Sequence, residues 1–196
     1  MTGIIDYGAG NLRSVENALD FLGEKKEVIR RAANLRGYDK LILPGVGAFR
    51  PAMQNLDTLG FTNELVSFAR SGKPFLGICL GMQLLFDRGY EFGETDGLGL
   101  IPGEIVPIDA GELPVPHMGW NELCVNFDTP VLGKDGSGSC VYFVHSFRAR
   151  CDERYIAAHA VYGESIPALV SNGNVLGAQF HPERSGDFGI AILERF

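Results

Sequence analysis

The sequence predicts an α/β fold with a mostly parallel central sheet, helices on both of its faces, and an antiparallel extension of strands. In the first half of the chain, short apolar runs alternate with segments of helical periodicity, which is the pattern of a parallel sheet with crossover helices. From about residue 89 onwards, glycine and proline become dense and strand-like runs follow one another with little helix between them. The 196 residues contain no internal repeat or linker, so we expect one domain spanning residues 1–196.

Apolar spacing defines the elements of the first half in order. A turn at residues 7–10 follows the first strand, and the helix after it has Asn11 placed to cap its start. That helix is predicted from apolar side chains that recur at helical spacing, namely Leu12, Val15, Ala18, Leu19 and Leu22. A Pro-Gly-Val-Gly loop at residues 44–47 precedes a second helix, centred on residues 65–69, that Thr62 could cap. The predicted strands are residues 3–6, 28–30, 40–43 and 75–78.

Strands dominate the second half. The predicted strands are residues 104–108, 122–127, 140–147, 155–162, 168–171 and 174–180. Asn172 and Gly173 join the last two as a tight hairpin, because an Asn-Gly pair tolerates the positive φ angles that such turns need. A closing helix is predicted from the apolar residues Ile190, Leu193 and Phe196, with Asp187 placed to cap it.

Composition and charge restrict the class of protein. The net charge of −7 disfavours a nucleic acid as the main partner, since nucleic-acid-binding proteins present positive surfaces. The chain has no apolar run of about 18 residues, and its first residues lack the basic segment of a signal peptide. Four cysteines show neither paired metal-ligand spacing nor disulfide density: Cys79, Cys124, Cys140 and Cys151. We therefore expect a cytoplasmic protein without structural zinc.

Cys79 lies where a predicted buried strand turns into a helix, with Gly77 and Gly81 two residues away on either side. A nucleophile held at a sharp strand-to-helix turn needs small flanking residues, because the backbone and neighbouring elements crowd the turn. The first helical turn offers free N–H groups and the positive end of the helix dipole, and both favour the reactive thiolate. The alternative is a small buried cysteine of the core, which is the usual environment of a free cysteine.

A nucleophilic cysteine needs a base and a group that orients the base. His181 ends a predicted strand and is followed by Pro182 and Glu183, and in an extended segment residues two apart point the same way. Glu183 can therefore hold the imidazole of His181, although a surface turn would have the same sequence. His117 has no carboxylate nearby in the sequence, and His159 lies in an apolar run typical of a sheet. His145 also lacks a local carboxylate, but it lies at a strand end and could line a site.

Attack on an amide carbon also requires hydrogen-bond donors for the oxyanion that develops. The backbone N–H of Leu80 directly follows the candidate nucleophile, and the loop at residues 44–47 could direct a second N–H to the same point because glycine permits unusual peptide orientations. Phosphate binding by this loop is the alternative, but neither a Lys-Ser/Thr pair nor G-x-G-x-x-G spacing accompanies it. Gln83, one helical turn beyond Cys79, could meet a polar substrate or could be an exposed helix residue.

Two motifs resemble those of the class I (triad) glutamine amidotransferases. They are Gly-Ile-Cys-Leu-Gly-Met-Gln at residues 77–83 and Gln-Phe-His-Pro-Glu at residues 179–183, in the order that the family has. Within the family, further segments are similar to the glutaminase subunits of imidazole glycerol phosphate synthase, at residues 6–15, 43–49, 116–121 and 142–146. These segments span nearly the whole chain, and the resemblance implies a flavodoxin-like sheet with helices on both faces.

The resemblance also implies the roles of individual residues. The catalytic residues would be Cys79 as nucleophile, His181 as general acid and base, and Glu183 as its orienting partner. The oxyanion hole would be formed by Val46 or Gly47 together with Leu80. Glutamine would be held by Gln83, Glu91 and the backbone around His145, Ser146 and Phe147. The resemblance implies neither a cofactor nor a metal.

A partner is implied as well, namely a (β/α)8-barrel cyclase subunit that receives ammonia and makes imidazole glycerol phosphate and aminoimidazole carboxamide ribotide in histidine biosynthesis. The interface near the ammonia exit would include Asn11, Trp120, Tyr142 and Arg184. Without the resemblance, a lone tryptophan such as Trp120 is more typical of packing than of an interface. Two positions depart from the family: Arg184 replaces the usual lysine, which keeps the charge but changes the geometry, and Phe147 replaces a common tyrosine.

Other functions are compatible with the residues alone. The chain could be the glutaminase subunit of another synthase, such as anthranilate or aminodeoxychorismate synthase, but residues 6–15 and 116–121 disfavour this. It could be a catalytically silent subunit that only regulates its partner, which the intact set of Cys79, His181 and Glu183 disfavours. A cysteine peptidase on a similar fold is a further alternative.

Overall fold

A central sheet of eight strands organises this computed structural model, which describes residues 1–32, 35–133 and 136–196. The strands in the described part are, in chain order, β1 (Thr2–Ile5), β2 (Lys26–Ile29), β3 (Lys40–Leu43), β4 (Phe75–Ile78), β5 (Phe86–Gly89), β6 (Thr95–Asp96), β7 (Ile101–Pro107), β8 (His117–Glu122), β9 (Cys124–Val125), β10 (Cys140–His145), β11 (Phe147–Arg150), β12 (Ile156–Tyr162), β13 (Glu164–Asn172) and β14 (Val175–Ala178). The helices are α1 (Leu12–Phe21), α2 (Phe49–Thr58), α3 (Phe61–Arg70), α4 (Leu80–Gln83) and α5 (Gly186–Arg195).

Parallel pairing defines one half of the central sheet, whose strand order is β2, β1, β3, β4, β14, β13, β12 and β9. The strands from β2 to β14 run parallel to their neighbours, and β13, β12 and β9 continue the sheet in antiparallel pairing. Two smaller sheets complete the structure: the antiparallel pair β8 and β10, and a four-stranded sheet in the order β11, β7, β5 and β6. The predicted α/β class with an antiparallel extension is confirmed.

The core lies on both faces of the central sheet because its inner strands are apolar on both sides. In β3, Leu41 and Leu43 belong to one apolar cluster and Ile42 belongs to the other, as the alternation of side chains along a strand requires. Helices α2 and α3 cover the first cluster, and α1 and α5 cover the second. None of the helices in the described ranges is both long enough and apolar enough to cross a membrane.

Helix α1 begins where it was predicted, whereas α3 and α5 begin differently from the prediction. The side chain of Asn11 makes no capping hydrogen bond at the start of α1. Helix α3 begins directly after Gly60, whose φ of 75° turns the chain, so Thr62 lies inside the first turn. Helix α5 begins at Gly186, which places Asp187 inside its first turn, where a carboxylate still suits the helix dipole. Asn11 therefore occupies the predicted cap position without a capping bond, whereas the caps predicted at Thr62 and Asp187 were wrong.

Two of the predicted strands divide, and several elements were not predicted. The run at residues 140–147 ends at His145 and resumes at Phe147, because the chain leaves its pairing with β8 and begins to pair with β7. The run at residues 122–127 divides at Leu123. The unpredicted elements are α2, β5, β6 and β8.

Three neighbouring parallel strands end at the same edge of the sheet. β3 runs into the loop at residues 44–47, β4 runs into Cys79, and β14 runs into the segment that ends at His181. The carboxyl ends of adjacent parallel strands form the crevice in which α/β proteins bind ligands. The topology therefore brings together segments that are far apart in the sequence.

Candidate active site

Cys79 occupies a strained turn between β4 and α4. Its φ of 54° and ψ of −110° are rare for any residue other than glycine, and its N–H donates to the carbonyl oxygen of Ala178 at 2.7 Å. The side chain is buried in the wall of a cavity. Helix α4 is only one turn long, so the dipole expected behind the cysteine is smaller than a full helix would supply.

The glycines that flank Cys79 are required by close backbone contacts. A Cβ atom on Gly81 would lie far inside the contact radius of the carbonyl oxygen of Leu43. A Cβ atom on Gly77 would lie 2.5 Å from the carbonyl oxygen of Gly81. The prediction that the turn needs small residues on both sides is confirmed.

His181 and Glu183 form a buried pair. His181 Nδ1 and Glu183 Oε1 are 2.8 Å apart, and 4% and 1% of the two side chains are exposed. The geometry differs from the extended segment that was predicted, because residues Pro182–Arg184 form a single 3₁₀ turn. The predicted contact between the two side chains nevertheless forms.

The environment of His181 favours its protonated form. Burial lowers the pKa of the imidazolium, but the Cys79 side chain and then the Glu183 carboxylate outweigh it and raise the pKa to about 10. Nδ1 is held by the carboxylate, whereas Nε2 is buried and makes no hydrogen bond with any residue in the described ranges. One ring nitrogen is therefore left for proton exchange with a bound molecule or with the cysteine.

A cavity of about 350 Å³ opens beside Cys79. It is lined by every residue predicted for the oxyanion hole and for glutamine, namely Val46, Gly47, Leu80, Gln83, Glu91, His145, Ser146 and Phe147. Two further lining residues, Pro116 and Val144, were missed, and both adjoin histidines that the sequence singled out. A cavity of this size suits a small polar ligand.

Gln83 is buried rather than exposed. Its Nε2 donates to the carbonyl oxygen of Phe147 and to Oε1 of Gln179, both at 3.0 Å. Nε2 of Gln179 in turn lies 3.9 Å from the sulfur of Cys79. Gln83 therefore links the wall of the cavity to the turn that holds Cys79. The sequence did not reveal this role because the hydrogen-bond partners are distant along the chain.

Glu91 connects the cavity to helix α2. Its Oε2 accepts a hydrogen bond of 2.8 Å from the N–H of Phe49, the first residue of α2. The contact satisfies one of the free N–H groups at the helix start, where a carboxylate also suits the dipole. Glu91 thus has a structural role in addition to lining the cavity.

His117 and His145 form a second buried pair behind the cavity. His145 Nδ1 lies 2.8 Å from the carbonyl oxygen of Phe147, which can only accept, so Nδ1 carries the proton. His145 Nε2 then accepts from His117 Nδ1 at 3.1 Å. His117 lies in β8, which was not predicted, whereas His159 lies apart from the cavity and contacts Asn126.

These two histidines are expected to make the fold sensitive to acid. Burial lowers the pKa of each to about 4, from about 6.5 in an unfolded chain, so the stability they contribute is complete above pH 6.5 and is lost as the pH falls towards 4. For His145 this is up to about 3 kcal/mol. His117→Phe keeps the ring between Phe143 and Tyr162, and its free energy of unfolding should fall less steeply between pH 6.5 and 4 than that of the wild type. Parallel profiles in denaturant titrations would contradict this expectation.

Comparison with known proteins identifies the family. The model of the family described as glutamine amidotransferase class-I matches residues 3–196. The chain belongs to this family. The amidotransferase is 50% identical over 197 residues to a protein named imidazole glycerol phosphate synthase subunit HisH from Desulfitobacterium hafniense (strain DSM 10664 / DCB-2), a match that covers 100% of this chain and 93% of the relative.

Other relatives and solved structures agree with this membership. A protein with the same name from Listeria monocytogenes serotype 4b (strain F2365) is 48% identical over 195 residues, covering 98% of this chain and 93% of the relative. The structure of PurLQS from Thermotoga maritima has a TM-score of 0.79 at 25% identity and covers 99% of this chain and 95% of its own. A crystal structure of a glutamine amidotransferase has a TM-score of 0.77 at 22% identity, with 99% and 97% covered, and shows the same fold.

The predicted oxyanion donors of the amidotransferase are not yet arranged as donors. The N–H of Leu80 donates to the carbonyl oxygen of Gly45 at 3.3 Å, so it does not point freely into the cavity. Val46 is 41% exposed, and Gly47 has a φ of 108° that glycine tolerates and other residues resist. The loop therefore adopts a conformation that its glycines allow it to change.

The residues predicted to face a partner are only partly brought together. Trp120 on β8 is directly opposite Tyr142 on β10, and their ring centroids are 6.1 Å apart. Trp120 is 58% exposed. The carbonyl of Tyr142 also accepts from the N–H of His181. Arg184 is exposed three residues farther along, and Asn11 is half-buried before α1.

Proposed function

We propose that this amidotransferase is the glutaminase subunit of imidazole glycerol phosphate synthase in histidine biosynthesis. It hydrolyses glutamine to glutamate and passes the ammonia to a (β/α)8-barrel cyclase subunit, which makes imidazole glycerol phosphate and aminoimidazole carboxamide ribotide. The supporting observation is the position of Cys79 in a strained turn at a small cavity, electrostatically coupled to the buried His181–Glu183 pair. The relatives named as HisH subunits support the choice of synthase.

The proposed chemistry proceeds in two stages. The thiolate of Cys79 attacks the side-chain amide carbon of glutamine, and the electron pair of the carbonyl moves onto its oxygen. His181, which is protonated, gives its Nε2 proton to the amide nitrogen as the C–N bond breaks and ammonia leaves. His181 then removes a proton from water, the hydroxide attacks the thioester, and the sulfur leaves as glutamate is released. Glu183 holds the imidazole in the orientation that both proton transfers need.

The oxyanion hole is proposed to form by rotation of one peptide unit. The carbonyl of Gly45, which occupies the N–H of Leu80, belongs to the same peptide as the N–H of Val46. Rotation of this peptide would free the Leu80 donor and bring the Val46 donor to the same point. The φ of Gly47 indicates that the loop can accommodate such a change. The loop thus couples activity to whatever contacts favour the rotated form.

The partner is proposed to dock on the face that carries Trp120. An exposed amphipathic ring is typical of an energetic anchor at a protein interface, and the ring of Tyr142 adjoins that of Trp120. Arg184, which is exposed, would extend the interface. Asn11 would lie near the ammonia exit. Ammonia in neutral water is mostly protonated and then not nucleophilic, so a shielded passage from one subunit to the other is chemically sensible. We propose that the complex lies in the cytoplasm.

Activation by the partner is the test of this function. Glutamate release from glutamine is measured for the chain alone, with the barrel cyclase, and with the cyclase and its nucleotide substrate. We expect at least about 100-fold activation in the liganded complex, since one oxyanion donor contributes about this factor. Equal rates under all three conditions would contradict the proposal.

Two further outcomes would direct the function elsewhere. Copurification with a chorismate-using enzyme instead of the cyclase would favour anthranilate or aminodeoxychorismate synthase. Failure of a glutamine-analogue electrophile to label Cys79, even with the partner bound, would favour a silent regulatory subunit.

A further inference from the structure

Tyr7 carries a buried hydroxyl group that makes no hydrogen bond with any residue in the described ranges. It lies two residues beyond the end of β1, and 1% of the residue is exposed. Its ring packs in the apolar cluster beneath α2 and α3. A buried hydroxyl without a partner is unfavourable, and such groups are rare in folded proteins.

The unpaired atoms cluster at the active site. Four buried side-chain atoms in the described part lack a partner, and two of them are His181 Nε2 and Glu183 Oε2 of the catalytic pair. The hydroxyl of Tyr7 is also close enough to Cys79 to be influenced by its charge, because burial and then Cys79 raise the pKa of Tyr7. The hydroxyl therefore keeps its proton, and it is a hydrogen-bond donor that has no acceptor among the described residues.

The hydroxyl lies against Gly45, in the loop that is proposed to rotate. A Cβ atom on Gly45 would overlap Tyr7 Oη and would lie 2.9 Å from the N of Gly81. The hydroxyl therefore occupies the space between Gly45 and the first turn of α4. Any side chain at position 45 would displace it, so the glycine permits the close approach.

Rotation of the Gly45–Val46 peptide removes the hydrogen bond of a buried carbonyl. In the present conformation the carbonyl of Gly45 accepts from the N–H of Leu80 at 3.3 Å, and Gly45 is buried. The oxyanion hole needs that N–H, so the carbonyl must lose it in the active state. A buried carbonyl without a donor would oppose activation.

We propose that Tyr7 is a positioning residue whose hydroxyl donates to the carbonyl of Gly45 once the Gly45–Val46 peptide has rotated. The proposal rests on the function proposed above and adds a residue outside both family motifs. In the resting conformation the hydroxyl has no hydrogen-bond partner among the described residues, and in the active conformation the carbonyl would lose its own. A single hydrogen bond between them satisfies both groups in the active conformation. Tyr7 lowers the free energy of the active loop without touching glutamine.

The test is Tyr7→Phe, which keeps the ring and removes only the hydroxyl. In the complex with the cyclase and its nucleotide substrate, we expect kcat for glutamate release to fall about tenfold, with KM for glutamine and affinity for the cyclase unchanged. The thermal unfolding midpoint should equal or exceed that of the wild type, because the variant loses an unpaired buried hydroxyl. Tyr38→Phe, at the opposite end of the sheet where Lys73 donates to the Tyr38 carbonyl, is the matched control and should retain kcat.

The outcomes separate this inference from the function on which it rests. If the wild type is activated and Tyr7→Phe has the same kcat in the liganded complex, the role of Tyr7 is refuted and the function stands. A fall in kcat accompanied by a lower unfolding midpoint would also refute it, since the hydroxyl would then support the resting fold. If the wild type itself is not activated by the liganded cyclase, both proposals fail.

Discussion

Cys79→Ala is expected to lower the rate of glutamate release in the liganded complex by about 10⁴-fold or more, because the proposed mechanism has no other nucleophile at the amide carbon. The backbone turn that holds Cys79 is fixed by the hydrogen bond to Ala178 and by the close packing of Gly77 and Gly81, so the fold should persist. The free energy of unfolding is expected to change by no more than about 1 kcal/mol, since only a small sulfur atom is removed.

The measurement is glutamate release at saturating glutamine, with circular dichroism and denaturant unfolding to verify the fold. Cys124→Ala is the matched control, because Cys124 is exposed on β9 and should retain the wild-type rate. Cys79→Ser preserves the size of the side chain more closely and should also be inactive, since a hydroxyl is far less nucleophilic than a thiolate. Substantial turnover by the alanine variant in a preparation free of other glutaminases would refute the assignment of Cys79.

Gly81→Ala is expected to destabilise the fold by at least about 3 kcal/mol. Its Cβ would press on the carbonyl oxygen of Leu43, which is a backbone atom at the end of a buried strand and cannot rotate away as a side chain could. Relief of the clash would require β3 and the first turn of α4 to separate, which would displace the loop at residues 44–47 as well as Cys79. Stability and activity should therefore be lost together.

Denaturant unfolding of Gly81→Ala and Gly37→Ala separates this clash from the general effect of adding a methyl group. A Cβ on Gly37 would meet no atom of the described residues within 4 Å, so that variant should have almost the stability of the wild type. For a chain of this length, about 3 kcal/mol corresponds to a fall of roughly 6–12 °C in the unfolding midpoint. Equal midpoints for the two variants would show that the turn yields more easily than its geometry indicates.

Local patterns in the sequence were sufficient to predict the fold class and the crowded turn at Cys79. The alternation of apolar runs and amphipathic helices predicted the parallel sheet, and the glycines around Cys79 predicted the crowding that the structure shows. The start of α2 was obscured because Pro51 follows a glycine-rich loop, although proline is tolerated in a first helical turn. The cap at Thr62 was wrong because Gly60, with a φ of 75°, turns the chain directly before α3.

Contacts between distant segments could not be predicted from the sequence alone. Gln83 and Phe147 are 64 residues apart along the chain, and nothing local to Gln83 distinguishes an exposed helix residue from one that binds a carbonyl across the cavity. The pairing of His117 with His145 depends on the register of β8 against β10. The engagement of the Leu80 N–H by Gly45 likewise depends on how two loops meet at the edge of the sheet.

The backbone angles that hold Cys79 for its proposed reaction also lower the stability of the fold. Glycine would adopt a φ of 54° and a ψ of −110° without strain, which would relieve about 1–3 kcal/mol and outweigh the loss of a small buried side chain. A laboratory screen that rewards heat resistance alone would therefore drive this position towards glycine and enrich inert proteins. Only a screen that also demands glutamate release would keep the proposed nucleophile at this position.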